Sequence, residues 1–187
     1  MLIGGDDWLA LTLEPTLEPE IPICDCHHHL WVHRPEPLAY QQYLLPGLAG
    51  DINSGHNVRS TVFMEVDAEY RTEGPEELRP VGEVEFVQKL ADEFATGAHG
   101  PARAAAAIIG RADLKLGDGV RPVLEALQAA SPNRFRGIRH STGWDPSPEV
   151  PDREIQGVLA TDGYRAGARV LAEMGFLLEG FMYFPQL

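Results

Sequence analysis

Five short apolar segments alternate with four longer segments whose apolar residues repeat at helical spacing. The short segments are Ile23–His27, Thr61–Val66, Ala104–Gly110, Phe135–His140 and Phe176–Phe184. Strands that alternate with helices pair in parallel, because each helix returns the chain to the edge where the next strand begins. The sequence therefore predicts an α/β fold with a parallel sheet, either closed as a barrel or left open as a doubly wound sheet.

Each intervening segment carries one apolar stripe of helical period. The stripes are Leu44, Leu45, Leu48 and Ile52; Val84, Val87, Leu90 and Phe94; Val120, Val123, Leu124 and Leu127; and Tyr164, Ala168, Leu171 and Met174. No Gly-x-Gly-x-x-Gly motif follows the first strand, which disfavours a dinucleotide-binding sheet. A complete (β/α) barrel has eight strands and about 250 residues. If the sheet is a barrel, the fifth strand ends the chain inside the fold.

The charge balance disfavours several classes of partner. Lys and Arg number 15 against 28 Asp and Glu, a formal net charge of -13. Such a chain repels phosphate, so we expect neither a nucleic acid nor a membrane surface as partner. An apolar run of membrane-spanning length and the cationic start of a signal peptide are both missing from the sequence, so a cytoplasmic location is expected. Cys24 and Cys26 are spaced too far apart along one strand for a disulfide, and we predict two buried, reduced thiols.

Three consecutive histidines end the first predicted strand. Side chains alternate along a strand, so Asp25, His27 and His29 point to one face and His28 to the other. Two imidazoles on one face, at the carboxyl end of a strand where barrel active sites lie, can bind one divalent ion such as Zn²⁺ or Mn²⁺. A bound ion lowers the pKa of its water to about 7 and so supplies a nucleophile at neutral pH. The alternative is a polar strand end with partly solvated histidines.

The same segment resembles a known family. The pattern Asp25-x-His27-x-His29-Leu30-Trp31 is similar to the first-strand signature of the amidohydrolase superfamily, and in particular of its amidohydrolase-related branch. Further stretches similar to this branch are Ser54–Val58, Gly74–Glu76, Gly110–Leu114 and Phe135–His140. In this resemblance, His27 and His29 match the two first-strand metal ligands.

The resemblance implies an architecture and an activity. Residues 1–22 are expected to form an acidic N-terminal extension, and residues 23–187 the N-terminal portion of a TIM-type (β/α) barrel truncated after about the fifth strand. The expected activity is hydrolysis of a lactone, an amide or a related carbonyl compound by activated water, with an incomplete site in this chain. The alternatives are an inactive truncated remnant and a non-catalytic α/β module that binds small anions at helix N-termini. Two copies are expected to form a homodimer through the open sheet edges.

The fourth predicted strand ends in Arg139 and His140, which we expect to face the mouth of the pocket. Arg139 can hold a substrate carboxylate through two parallel hydrogen bonds. His140 can act as a catalytic general base, a metal ligand or a substrate contact. The alternative is a strand end capped by water or a nearby acid. Phe184 stands where relatives often have a histidine, and the catalytic Asp that the family draws from a later strand has no counterpart here.

Three further side chains are candidates for substrate binding. Glu65 ends the second predicted strand and reaches the same mouth, unless it pairs at the surface with Arg59 or Arg71. Tyr70 lies in the loop that follows. Trp31 follows the histidines and either lines the pocket or packs beside it. Together with Arg139, these side chains form the predicted site for a small-molecule substrate.

Overall fold

The computed structural model describes residues 5–34, 40–151 and 153–187 and contains one five-stranded sheet. The strands are β1 (Pro22–His28), β2 (Asn57–Met64), β3 (Arg103–Arg111), β4 (Phe135–Ser141) and β5 (Leu177–Phe181). Every neighbouring pair is parallel, and the strands lie side by side in the order in which they occur in the chain. The sheet curls as half a barrel, so the predicted α/β fold with a parallel sheet is confirmed.

Helices connect the strands. They are α1 (Asp6–Leu9), before the sheet, and α2 (Leu45–Ile52), α3 (Val81–Phe94), α4 (Arg121–Ala130) and α5 (Asp162–Glu173), which follow β1 to β4 in turn. The four predicted apolar stripes are confirmed as α2 to α5, each of which places buried residues in the core. Thr161 caps the N-terminus of α5, since its hydroxyl accepts a hydrogen bond from the backbone N–H of Tyr164. In the described part of the chain, no helix has the length and apolar composition that crossing a bilayer requires.

Two strands differ from their predicted limits. β2 begins at Asn57 and ends at Met64, so it lies earlier in the chain than predicted and leaves Glu65 just beyond its end. β5 has only five residues and ends at Phe181, after which the chain forms a 3-10 turn over residues 184–186. Pro185 within this turn has no N–H to donate to a strand ladder, so the ladder cannot extend past the turn.

The helices cover one side of the sheet, and the core lies between the two layers. Buried side chains of β2, β3 and β4 pack there against α3 and α4. They include Phe63, Ala104, Ile108, Phe135 and Ile138 from the strands, and Val84, Val87, Leu124 and Leu127 from the helices. Leu177 and Leu178 of β5 are 62% and 42% exposed. Neighbouring side chains of a strand point to opposite sides, so both sides of the sheet are open to solvent at β5.

β1 departs from the regular alternation that the sequence suggests. Between Asp25 and His28, β1 uses one residue more than β2, which is a β-bulge. Cys24 and Cys26 are free thiols, as predicted, but both are exposed, so the prediction of their burial is wrong. The reason is the position of β1 at the edge of the sheet, where only His28 of the strand is buried.

Gly167 allows α5 to approach the chain segment that precedes α4. A Cβ atom at this position would overlap the backbone carbonyl group of Leu114. Alanine in place of a helical glycine normally stabilises a helix by about 1 kcal/mol. Here we expect Gly167→Ala to lower the free energy of unfolding by about 1–3 kcal/mol, because the backbone must shift to make room. Urea denaturation measures the change.

Gly50 in α2 provides the matched control for Gly167. A Cβ atom at Gly50 meets no atom within 4 Å. Gly50→Ala is therefore expected to raise the free energy of unfolding by about 0.5–1 kcal/mol. Equal effects of the two substitutions would contradict the close contact between α5 and Leu114.

Candidate functional site

Polar side chains gather on the concave side of the sheet at the carboxyl end of β2. The backbone carbonyls of residues 64–66 accept hydrogen bonds, in order, from His29 Nδ1 at 2.9 Å, Arg139 Nη2 and Arg34 Nη2. Carbonyl groups at the end of a strand require partners from elsewhere. Here the side chains of two other chain segments supply them, so the end of β2 fixes the positions of one imidazole and two guanidinium groups.

His27 and His29 present their Nε2 atoms to each other at a distance of 3.2 Å. Their rings meet edge to face with centroids 4.9 Å apart. Two nitrogen atoms that each lie about 2.1 Å from one ion, at an angle of roughly 90–109°, are about 3.0–3.4 Å apart. The structure therefore brings together the two imidazoles that the sequence pairs, at a spacing that suits two ligands of one ion.

The carbonyl of Met64 sets the tautomer of His29. A carbonyl only accepts hydrogen bonds, so His29 Nδ1 carries the hydrogen and Nε2 of the neutral ring carries a lone pair. Burial lowers the pKa of His29, which favours that neutral ring. Metal-binding histidines are typically oriented in this way, with the far nitrogen donating to a carbonyl or a carboxylate. At the neighbouring imidazole, the backbone N–H of His27 donates to Asp25 Oδ1 at 3.1 Å.

His28 belongs to the core and not to this site. Its Nε2 lies 2.8 Å from Thr61 Oγ1, which also accepts a hydrogen bond from the backbone N–H of Ala105 at 2.9 Å. Burial lowers the pKa of His28 to about 4. The side chain is therefore neutral and stabilises the contact between β1, β2 and β3.

A buried ion pair lies next to the two imidazoles. Arg139 Nε donates to Glu65 Oε1 at 2.8 Å, and the two side chains are 7% and 4% exposed. Glu65 thus pairs across the sheet, and the alternative of a surface pair with Arg59 or Arg71 is wrong. Glu179 adds a second carboxylate, with its Oε2 3.5 Å from the same nitrogen. Burial raises the pKa of Glu65, although the guanidinium of Arg139 acts in the opposite direction.

This ion pair changes what Arg139 can do. Its Nε and Nη2 atoms both donate to Glu65, one to the carboxylate and one to the backbone carbonyl. A substrate carboxylate that took both of these donors would first have to displace Glu65. Glu65 Oε2 and Glu179 Oε2 are buried and have no hydrogen-bond partner among the described residues, so each can still accept a donor.

His140 leaves β4 on the opposite side from Arg139, as neighbouring residues of a strand do. Its Nδ1 accepts a hydrogen bond from the backbone N–H of Leu114 at 3.1 Å, and its Nε2 lies 3.5 Å from Glu154 Oε2. Its ring packs against Tyr164 of α5, with centroids 5.4 Å apart. The structure therefore places His140 in the helical layer, apart from Arg139, and not at a shared pocket mouth.

The remaining two candidates lie at different edges of the concave side. Tyr70 donates its hydroxyl to Asp67 Oδ1 at 2.9 Å and lines a cleft beside the end of β3. Trp31 packs its ring against Tyr43, with centroids 5.5 Å apart, and its Nε1 donates to the carbonyl of Tyr40 at 3.1 Å. The structure thus separates Tyr70 from Trp31, which packs on the loop before α2.

Sequence reasoning missed several charged residues at this end of the sheet. They are Asp67, Glu83, Arg111 and Glu179. Glu179 carried a recognisable signal, because it is the one charged residue in the otherwise uncharged segment 174–187. Glu83 sits one residue before the apolar stripe of α3 and is 0% exposed. Helical periodicity does not identify such a residue as buried, because its burial depends on the loop after β2.

The described residues contain no group of three or more His, Cys, Asp and Glu side chains arranged to hold one metal ion. Within this part of the chain, no third such side chain joins His27 and His29 in an arrangement of that kind. Comparison of the sequence with protein-family models and with curated proteins, and of the chain with solved structures, finds no match.

Proposed function

We propose that this chain is the N-terminal portion of an amidohydrolase-related (β/α) barrel and that it serves the hydrolysis of a lactone, an amide or a related carbonyl compound. The observation that carries the proposal is the pair His27 and His29, with Nε2 atoms 3.2 Å apart at the carboxyl end of β1. A half-barrel sheet with sequential strand order supports the barrel. The first-strand resemblance supports the reaction class.

His27 and His29 would hold a divalent cation, Zn²⁺ or Mn²⁺, through their Nε2 atoms. Imidazole donors suit both ions, and the hydrogen bond from His29 to the carbonyl of Met64 holds one ligand ready. Such an ion, when bound, polarises a carbonyl and lowers the pKa of a water molecule to about 7. Two protein ligands leave further positions for water and substrate.

The residues beside the imidazole pair would orient the substrate. Glu65 Oε2 is buried and has no hydrogen-bond partner among the described residues, so it can accept a hydrogen bond from the substrate or from water. Arg139 keeps Glu65 in place through two hydrogen bonds. Glu65 is thus the substrate contact, and Arg139 positions it.

Metal analysis of the purified chain tests the proposal. After dialysis against a buffer that contains a trace of Zn²⁺ or Mn²⁺, we expect about one ion per chain. Structured imidazole pairs bind these ions through neutral nitrogen donors. The double variant His27→Ala/His29→Ala is expected to lose the ion. Elemental analysis measures the metal content. The metal-loaded chain is then assayed for hydrolysis of a panel of lactones and amides.

His56 offers a matched control for the metal experiment. It is an exposed histidine just before β2, at the opposite end of the strand from His29. His56→Ala is expected to keep the full metal content. Wild-type protein without metal, or metal retained in the double variant, would refute the site while leaving the fold unaffected.

The association of two copies through the open sheet edges is part of the same proposal. β5 carries the exposed residues Leu177 and Leu178, and an edge strand offers unpaired backbone groups to another strand. Sedimentation velocity at several protein concentrations distinguishes a homodimer from a monomer.

A further inference from the structure

A cleft of about 540 Å³ opens between the loop that follows β2 and the carboxyl end of β3. It lies beside the candidate site, since Arg111 at the end of β3 and Asp67 in the loop both act electrostatically on Glu65. Tyr70 lines it from the loop, and Leu116 contributes an apolar wall. The cleft has room for a small molecule whose reacting end reaches the concave side of the sheet.

One carboxylate oxygen inside the cleft is shared by two donors. The hydroxyl of Tyr70 donates to Asp67 Oδ1 at 2.9 Å, and Arg111 Nη1 lies 3.5 Å from the same oxygen. The Asp67 side chain is 59% exposed, whereas that of Arg111 is 34% exposed. Burial raises the pKa of Tyr70, so its hydroxyl stays a donor. The mostly exposed carboxylate of Asp67 therefore occupies a position to which two partly buried donors point.

The backbone of this loop is held in an uncommon conformation. Asp67 and Glu69 have φ angles of 59° and 51°, in the left-handed region that residues other than glycine rarely adopt. Glu83, 0% exposed, fixes the loop because its Oε1 accepts from the backbone N–H groups of Val66 and Ala68 at 3.0 and 2.8 Å. Strain that the surroundings hold in place is typical of binding loops.

Arg111 and Arg139 differ in how firmly they are engaged. Arg139 is 7% exposed and makes a 2.8 Å hydrogen bond to its carboxylate. Arg111 is more exposed, and its ion pair with Asp67 is longer, at 3.5 Å. A ligand anion can therefore take the donors of Arg111 at a smaller cost than those of Arg139, which Glu65 holds.

We infer that the cleft is a binding subsite for a small monocarboxylate, whose carboxylate takes the place of Asp67 between Arg111 and Tyr70. This inference rests on the proposed function, since it assigns the carbonyl substrate a carboxylate group. Asp67 acts as an internal competitor that occupies the donors until the ligand arrives.

The other charged groups of the cleft limit the ligand to one negative charge. Glu76 and Glu77 lie at its exposed rim and repel a second anionic group. Arg79 is exposed at the same rim, and Asp113 Oδ1 already accepts a hydrogen bond from the backbone N–H of Lys115 at 2.9 Å. A carboxylate with an uncharged remainder fits this distribution.

Calorimetric titration of the full chain with sodium butyrate, at constant ionic strength, tests the inference. Butyramide, which has nearly the same shape and no charge, serves as the matched probe. We expect butyrate to bind and butyramide not to bind. Arg111→Gln is expected to weaken butyrate binding by more than about tenfold, because it removes a charge-assisted donor. Asp67→Asn is expected to tighten it by roughly three- to tenfold, because it removes the competing charge.

Additional variants separate a binding role from a structural one. Arg111→Lys keeps the charge and is expected to restore part of the affinity lost in Arg111→Gln. Arg121→Gln, which loses only the exposed ion pair with Glu173, is expected to bind butyrate like the wild type. Equal binding of butyrate and butyramide, an unchanged affinity in Arg111→Gln, or no tightening in Asp67→Asn would each overturn the inference.

The same titration with the His27→Ala/His29→Ala variant distinguishes this subsite from the proposed metal centre. Unchanged butyrate binding in a variant without metal shows that the subsite is independent of the two histidines. If the wild type contains no metal but binds butyrate with the expected response to Asp67→Asn, the proposed hydrolysis fails and the carboxylate subsite stands. If the wild type binds metal but not butyrate, the metal centre stands and the carboxylate subsite is overturned.

Discussion

Replacement of Arg139 by methionine is expected to lower the free energy of unfolding by about 3–5 kcal/mol. The substitution leaves Glu65 buried without its cation, and the desolvation of an unpaired carboxylate costs far more than the loss of an exposed ion pair. Glu65 is 3% exposed, so the folded chain does not solvate its carboxylate as bulk water does. Guanidinium chloride denaturation at neutral pH measures the change.

A second substitution tests the reason for this loss. In the double variant Arg139→Met/Glu65→Met the unpaired charge is gone, so we expect more than half of the stability to return. A residual loss of about 1–3 kcal/mol in the free energy of unfolding remains, because the backbone carbonyl at position 65 no longer accepts the hydrogen bond that Arg139 Nη2 donates in the wild type. Arg121→Met, which breaks an exposed pair with Glu173, is expected to cost less than about 1 kcal/mol. If Arg139→Met costs no more than this control, the buried pair is not what stabilises the concave side.

Stability is expected to fall as the pH rises from about 5 to about 8 because of Glu83. Burial raises the pKa of this carboxyl group from 4.5 to about 8. Between those values the folded chain keeps a proton that the unfolded chain has released, so a rising pH favours unfolding. This contribution to stability is fully present below the pKa that Glu83 has in the unfolded chain. It is lost as the pH rises through the pKa that Glu83 has in the folded chain. From pH 6 to pH 8 the expected loss is about 2 kcal/mol, at about 1.4 kcal/mol per pKa unit.

Glu83→Gln isolates this contribution. Glutamine stays neutral and keeps an oxygen that accepts from the backbone N–H groups of Val66 and Ala68. As the pH rises from 6 to 8, the free energy of unfolding of the variant is therefore expected to increase by about 2 kcal/mol relative to that of the wild type. Glu85→Gln, on the exposed side of the same helix, serves as the control and should follow the wild-type pH dependence. Parallel curves for wild type and Glu83→Gln, measured by urea denaturation, would contradict a raised pKa at this position.

The order and type of the regular elements were predictable from local patterns. The alternation of short apolar runs with helical stripes predicted four of the helices and the parallel sheet, because both depend on which residues are apolar and at what spacing. Strand limits were less predictable where pairing decides them. β2 starts at Asn57, a polar residue without a strand signal, because it pairs with Pro22 of β1. The bulge in β1 has the same origin, since a register shift is a property of two strands and not of one.

The candidate site was predictable only in part. The spacing of His27 and His29 indicated a shared face, and the structure brings their Nε2 atoms together. The partners of Arg139 were not predictable, because Glu65 is 74 residues away along the chain. Their pairing follows from the sequential order of β2, β3 and β4. His140 was assigned to the pocket because it ends a strand, but strand alternation turns it away from Arg139 and towards α5.

The sequential strand order also bears on how the chain acquires its structure during synthesis. β2 pairs with β1, and each later strand pairs with the one made just before it. The ladder between β1 and β2 can therefore form before β3 leaves the ribosome, and each new strand closes a loop of only one helix and its connections. In a doubly wound sheet, by contrast, later strands must find the far side of the first one. Every intermediate of this chain instead presents a single growing edge, and the next strand to be synthesised is the one that covers it.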